Sequence, residues 1–297
     1  MIEAKKLVKS FDSVRALDGL NLRVPKGAVY GLIGPNGAGK STLIRHLVGI
    51  YRQDSGEVLI DGQPVYENPS AKARIAYIPD DVFYYTQASI RDMMQFARSM
   101  YSDFDGERYR ALGEVFRLDE RRPMRKLSKG MQKQAAFWIA LSQRPEILIL
   151  DEPVDGLDPV MRRQVWSILL ADVEENGTTV LVSSHNLREL EDVCDHVGIM
   201  DHGQMLVERS LSDLQDNLVK IQLAYPDGGG LPEGLELLHR SVTGRLQQLI
   251  LRGTAEELEA KLAASAPLFM DVLPLSLEDI FIYELGGAGR EITDLVL

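Results

Sequence analysis

The sequence predicts an α/β body, an open sheet with helices on its faces, followed by a small α+β appendage. Three observations carry that expectation. The apolar runs AVYGLI, EILILDEP and TTVLVSS have the pattern of strands buried on both faces. Segments with helical spacing fall between them, and polar motifs follow the strand ends. The composition then shifts near residue 211, so the expected division is 1–210 and 211–297, with a mainly helical stretch at about 88–143.

In order, AKKLVKSF and LNLRV read as short strands ahead of AVYGLI, and STLIRHLVGI as a helix ending near Gly49. EVLIDGQPVY has the form of a hairpin turning at Asp61-Gly62. SIRDMMQFARSMY and ERYRALGEVFRL are amphipathic. PVMRRQVWSILLADVEENG is a helix closed by Gly177, NLRELEDVC a further helix, and GIMDHGQMLVE a second hairpin. Beyond the shift, YPDGGGLPEG is a loop, LQQLILRG and LFMDVLP are strands, and TAEELEAKLAA and SLEDIFIYEL are helices.

The formal net charge is −11, which weighs against a nucleic-acid partner. The local cluster Arg121, Arg122, Arg125, Lys126 and Lys129 is best read as a solvated face. No run approaches roughly 18 apolar residues, so no membrane span is expected. The start, MIEAKKLVKSFDSV, lacks the apolar block of a secretion signal. A lone cysteine, Cys194, makes no intrachain disulfide and fits a reducing compartment.

GPNGAGKS, Gly34 to Ser41, fits the phosphate-loop pattern G-x-x-x-x-G-K-[ST], between an expected strand and an expected helix. Gly34, Gly37 and Gly39 let backbone N–H groups curl around phosphates, and Pro35, Asn36, Ala38 and Thr42 complete the loop and first turn. The helix starting near Lys40 points its positive end at the same place. Lys40 is expected to reach the β- and γ-phosphates, and the Ser41 hydroxyl to ligate Mg²⁺. At the end of ILILDEP, Asp151 is expected to hold that metal through water. Glu152 is placed to polarise an attacking water, as general base or as orienter.

Those two motifs leave many phosphate-loop enzymes open, and three further segments narrow them. LSKGMQKQ (127–134) precedes the acidic strand, Asp155-Gly156-Leu157-Asp158 follows it, and His185 stands in SSHN. With these motifs in order, the chain resembles the nucleotide-binding subunits of ABC transporters over roughly residues 1–210. The resemblance implies ATP and Mg²⁺ as cofactors, Phe11 stacked on adenine, and Glu152, His185 and Lys40 as catalytic groups. It also implies two protomers that sandwich the nucleotide, with Ser128, Lys129, Gly130 and Asp158 acting on the partner's ATP. Two positions depart from the family. Asp80, in AYIPDD, stands where the family has glutamine, and its carboxylate is expected to ligate Mg²⁺ while adding negative charge beside the phosphates. Lys129 and Met131 replace the third-position glycine and the final glutamine of LSGGQ; Lys129 is expected to face solvent, with a phosphate contact as the alternative.

The family pairs such chains with a separate integral membrane permease, whose coupling helices would dock at about residues 80–125. That places the chain in the cytoplasm, peripheral to the inner face of the membrane, as a homodimer or a heterodimer with a sister ATPase. SLEDIFIYEL resembles the endings of subunits paired with ABC-2-type export permeases, which favours export over import. The competing reading is a soluble ABC ATPase acting on a complex such as the ribosome, although those usually carry two nucleotide modules. A DNA-repair type would need a long coiled coil between phosphate loop and signature, for which the interval is too short.

Overall fold

The chain opens with two long antiparallel strands, Ile2–Phe11 (β1) and Val14–Val24 (β2), and β1 also pairs with Ser55–Ile60 (β4). Gln63–Pro64 (β5) completes a four-stranded sheet in the order β2-β1-β4-β5. The turn between β4 and β5 falls at Asp61 and Gly62, both with positive φ, as the Asp-Gly pair predicts. A second sheet holds Val29–Ile33 (β3), Ile75–Ile78 (β6), Ile147–Asp151 (β7), Thr179–Ser184 (β8), His196–Asp201 (β9) and Gln204–Ser210 (β10), ordered β10-β9-β3-β8-β7-β6. From β9 through β6 its pairings are parallel. Strands β3, β7 and β8 are buried at every position, which is why they read as unbroken apolar runs.

Helix Lys40–Leu47 (α1) belongs to the main core, where its Leu43, Ile44 and Leu47 join Leu7, Leu17 and Leu22 of the first sheet and Leu32, Ile149 and Leu181 of the second. A fully buried side chain of this kind contributes roughly 1.5–3 kcal/mol. A short helix, Pro69–Lys72 (α2), leads into β6. The helical stretch comprises Ile90–Met100 (α3), Gly106–Phe116 (α4) and Lys129–Leu141 (α5). Ser89 and Asp92 form a reciprocal capping box at the start of α3. Tyr109 of α4 stacks on Trp138 of α5 at 4.6 Å, and the Trp138 indole N–H donates to the Tyr109 carbonyl. Helix Pro159–Asn176 (α6) ends at Gly177, which takes the left-handed conformation expected of that glycine.

The computed structural model describes residues 1–211, 218–226, 230–277, 279 and 283. It divides into two compact units, Met1–His185 with Val193–Glu208, and Asn186–Asp192 with Arg209–Leu297. The second unit has an antiparallel sheet ordered β12-β13-β11-β14, built from Leu218–Ala224 (β11), Glu236–Thr243 (β12), Leu246–Arg252 (β13) and Phe269–Leu273 (β14). Helix Ala255–Ala263 (α7) places Leu258 and Leu262 in a core with Ile221, Leu223, Leu249 and Leu251.

Three sequence expectations fare differently. NLRELEDVC is not an α-helix: only Leu187–Glu189 forms a 3-10 turn, and the Asn186 side chain bonds the Arg188 N–H at its start. The Asn186 side chain competes for the backbone at the start of the segment, and its helical spacing does not carry it past one turn. Strands β11 and β12 were not foreseen; β12 is largely exposed and carries no clear alternation. The expected helix over SLEDIFIYEL lies mostly outside the described residues.

Candidate functional site

Parallel strand β3 ends at Ile33, between β8 and β9, and releases the chain into the loop that starts α1. The loop needs its glycines. Gly39, at the N-cap of α1, has φ 104, and a β-carbon there would lie 2.7 Å from the Ala16 carbonyl oxygen. No described side chain caps α1, so its first-turn N–H groups are left for an anion. Lys40 is 6% exposed, and its ammonium donates to the carbonyls of Gly34 (2.5 Å) and Pro35 (3.3 Å). A pocket of about 390 Å³ opens here, lined by Pro35, Asn36, Gly37, Lys40, Ser41 and Thr42, with Val14, Asp80 and Glu152 on its walls. Phe11 lies outside that lining, but it pairs across the β1–β2 turn with Val14 and keeps an exposed ring edge-on to Tyr51.

At the end of β7 the parallel register sets Asp151 beside Ser183 of β8, whose hydroxyl donates to the buried Asp151 carboxylate at 2.6 Å. The same Ser183 oxygen accepts from the Glu152 N–H at 3.1 Å. Glu152 itself has φ 47, a conformation that a residue with a β-carbon adopts only when its surroundings hold it there. Its carboxylate lies 2.9 Å from His185 Nδ1 and 3.6 Å from Lys40 Nζ. Burial raises the Glu152 pKa; the hydrogen bond to His185 and the charge of Lys40 oppose that rise. Asp155 closes the group: a donor atom from each of Glu152, Asp155 and His185 lies within 4.8 Å of the others.

The signature segment lies outside the phosphate-loop pocket. Ser128 is the N-cap of α5, accepting from the Met131 N–H at 3.3 Å. The Lys129 side chain is 88% exposed, so it faces solvent as expected. Gly130 packs so closely on the loop after β7 that a β-carbon would fall 2.3 Å from the Gly156 carbonyl oxygen. Asp158 caps α6, accepting from the N–H groups of Val160 and Met161 at 3.0 Å each. Lys133 and Ser183 are the residues that sequence reasoning missed. The only signal for Lys133 was a cation directly ahead of the mainly apolar run QAAFWIAL, and Ser183 looked like one more residue of a buried strand.

Comparison with known proteins agrees with this geometry. Residues 17–155 match the ABC transporter family. The chain is 30% identical over 293 residues to the ABC transporter ATP-binding protein YtrB of Bacillus subtilis (strain 168), covering 98% of this chain and 100% of that one. It is also 30% identical to the Nod factor export ATP-binding protein I of Cupriavidus pinatubonensis, over 99% of this chain and 92% of the relative. Among solved structures, an ATP-binding subunit of an ABC transporter superposes with a TM-score of 0.68 at 27% identity, over 72% of this chain and 92% of that one.

Proposed function

Since this chain belongs to the ATP-binding subunits of ABC transporters and is an ATPase of that type, we propose that it energises export through a separate membrane permease by ATP-driven closure of a dimer. The observation that carries the reading is the line Lys40–Glu152–His185, whose first two members line the phosphate-loop pocket. The pocket's donors fit a nucleoside triphosphate: a buried ammonium, uncapped helix N–H groups and a serine hydroxyl converge, with the carboxylates of Asp80 and Glu152 in the lining.

Lys40 and the loop N–H groups bind phosphate oxygens, and Ser41 and Asp151 hold Mg²⁺, with Asp80 at the pocket edge as a further oxygen donor. Bound Mg-ATP supplies an activated γ-phosphoryl group whose charge the metal offsets. Glu152 orients a water and accepts its proton, and His185 fixes the Glu152 carboxylate on that water. Phe11 takes the adenine face. Ser128, Lys129, Gly130 and Asp158 belong to the surface that meets the partner protomer's nucleotide, in a homodimer or with a sister ATPase.

Among the described residues no helix is long and apolar enough to cross a membrane, so the permease is a separate chain in this reading. An apolar ridge supports its docking where the coupling helices are expected. Phe83, 68% exposed, meets Tyr85 edge-on at 5.5 Å, and Tyr85 meets Phe96 in the same way. The export named in the Cupriavidus relative supports the direction. In this reading the chain works at the cytoplasmic face of the membrane. The test is affinity purification of the tagged Glu152→Gln chain from detergent-solubilised native membranes with Mg-ATP. A stoichiometric polytopic membrane protein is expected; recovery with soluble complexes alone would sink the transport reading while leaving the ATPase intact.

A further inference from the structure

Lys133 sits in the middle of three elements that hydrolysis needs. Its side chain is 5% exposed, on α5 just after the signature motif, with Ala135, Phe137 and Trp138 buried beyond it. An ammonium this far from water requires both hydrogen bonds and a countercharge. It finds the carbonyl oxygen of Glu152 at 2.5 Å and the Oδ1 of Asp80 at 3.2 Å. Glu152 is therefore gripped on both sides of its left-handed backbone: Ser183 receives its N–H, and Lys133 donates to its carbonyl. That grip fixes where the Glu152 carboxylate points, which is at His185 and Lys40.

The second bond answers the charge that Asp80 brings to the phosphate pocket. Asp80 borders two pockets, the phosphate-loop pocket and one of about 670 Å³ shared with Lys129, Lys133 and Asp155. It is 59% exposed, yet one of its oxygens stays on the buried Lys133. The pair as a whole carries no net charge at the pocket edge, and Oδ2 remains available.

We propose that Lys133 is a positioning residue for ATP hydrolysis, clamping the Glu152 backbone through its carbonyl and offsetting the charge of Asp80 so that the pair acts as a neutral unit beside the phosphates. The proposal rests on the reading of Glu152 as the group that orients water. The two duties separate in kinetics. Loss of the clamp misplaces a catalytic carboxylate and lowers kcat; loss of the countercharge repels the nucleotide and raises KM.

The experiment measures kcat and KM for Mg-ATP with the full chain as wild type, Lys133→Met and the double variant Asp80→Asn/Lys133→Met. Lys133→Met is expected to lower kcat about 10- to 100-fold, the scale of a misplaced catalytic group, and to raise KM about fivefold. The asparagine side chain keeps an oxygen at this place and loses only the charge, so in the double variant KM should return to within about twofold of wild type while kcat stays low. Asp80 is 59% exposed, so neither variant strands a buried charge, and circular dichroism of each confirms the fold before kinetics are compared. A wild-type kcat in the double variant overturns the clamp, and a KM that stays raised there overturns the charge offset. Failure of wild type itself to bind and hydrolyse ATP would instead overturn the proposed function.

Discussion

The Nδ1 atom of His185, at the end of β8, lies 2.9 Å from Oε2 of Glu152, at the end of β7. Two adjacent parallel strands thus deliver a carboxylate and an imidazole to one point. Replacing Glu152 by glutamine keeps the size of the side chain but removes its ability to take a proton. Turnover in Glu152→Gln should fall ~100-fold or more, while ATP affinity, set by the phosphate loop, is retained. Steady-state hydrolysis and equilibrium binding separate the two, and size-exclusion in Mg-ATP should show a trapped dimer.

The pH profile follows from the burial of the same carboxylate. Its pKa is raised above the ordinary 4.5, and the ionised form is the one that accepts a proton. Activity should therefore fall as pH drops through a value above 4.5, and this limb should vanish from the residual activity of Glu152→Gln. The sign for stability is opposite to that for activity. The folded state holds this proton more tightly than the unfolded chain, so ionising Glu152 lowers stability as pH rises through the interval between the two pKa values. Glu152→Gln should accordingly melt higher than wild type at neutral pH, as read by calorimetry.

Ser128 has two duties that one substitution can separate. As N-cap of α5 it bonds the Met131 N–H, so Ser128→Ala should cost about 1 kcal/mol of stability. In the proposed sandwich it also faces the partner's nucleotide, so turnover should fall while the ATP affinity of a single protomer stays unchanged. Fluorescent-nucleotide binding at protein concentrations below dimerisation checks the second point; an equal loss of affinity there would remove Ser128 from the partner's site.

Arg108 of α4 and Asp172 of α6 form a largely buried pair, with both Asp172 oxygens 2.5 Å from the guanidinium. Burial raises the Asp172 pKa even though Arg108 opposes it, so desolvation is the larger effect. Asp172→Ala strands the Arg108 cation and should cost about 3–5 kcal/mol. The double variant Arg108→Met/Asp172→Leu should recover most of that loss. Urea denaturation of the three proteins measures both.

What could be read from the sequence follows from how local each cause is. Strands β3, β7 and β8 are buried on both faces, and the phosphate loop is a contiguous motif whose glycines answer to its own backbone, so both are written in consecutive residues. Strand β12 sits at a sheet edge with most side chains in solvent, so nothing in its pattern announces it. The 3-10 turn after His185 shows the same limit: helical spacing is present, but the Asn186 side chain bonds the backbone there and the spacing alone does not reveal it. The Asp80–Lys133 bond joins residues 53 positions apart. Asp80 stood out in the sequence as a surplus negative charge, and only the fold brings its countercharge beside it.

The border between the two compact units falls directly after His185. Residues Asn186–Asp192 are grouped with the C-terminal part, where the Glu191 carboxylate accepts from the Leu277 N–H. The C-terminal part is thus discontinuous in the gene's order, with one piece inserted between β8 and β9. Cutting the chain after Glu208 would not liberate an intact enzyme core. It would leave behind a seven-residue orphan, stripped of its own packing partners and joined by one peptide bond to His185, whose imidazole touches Glu152.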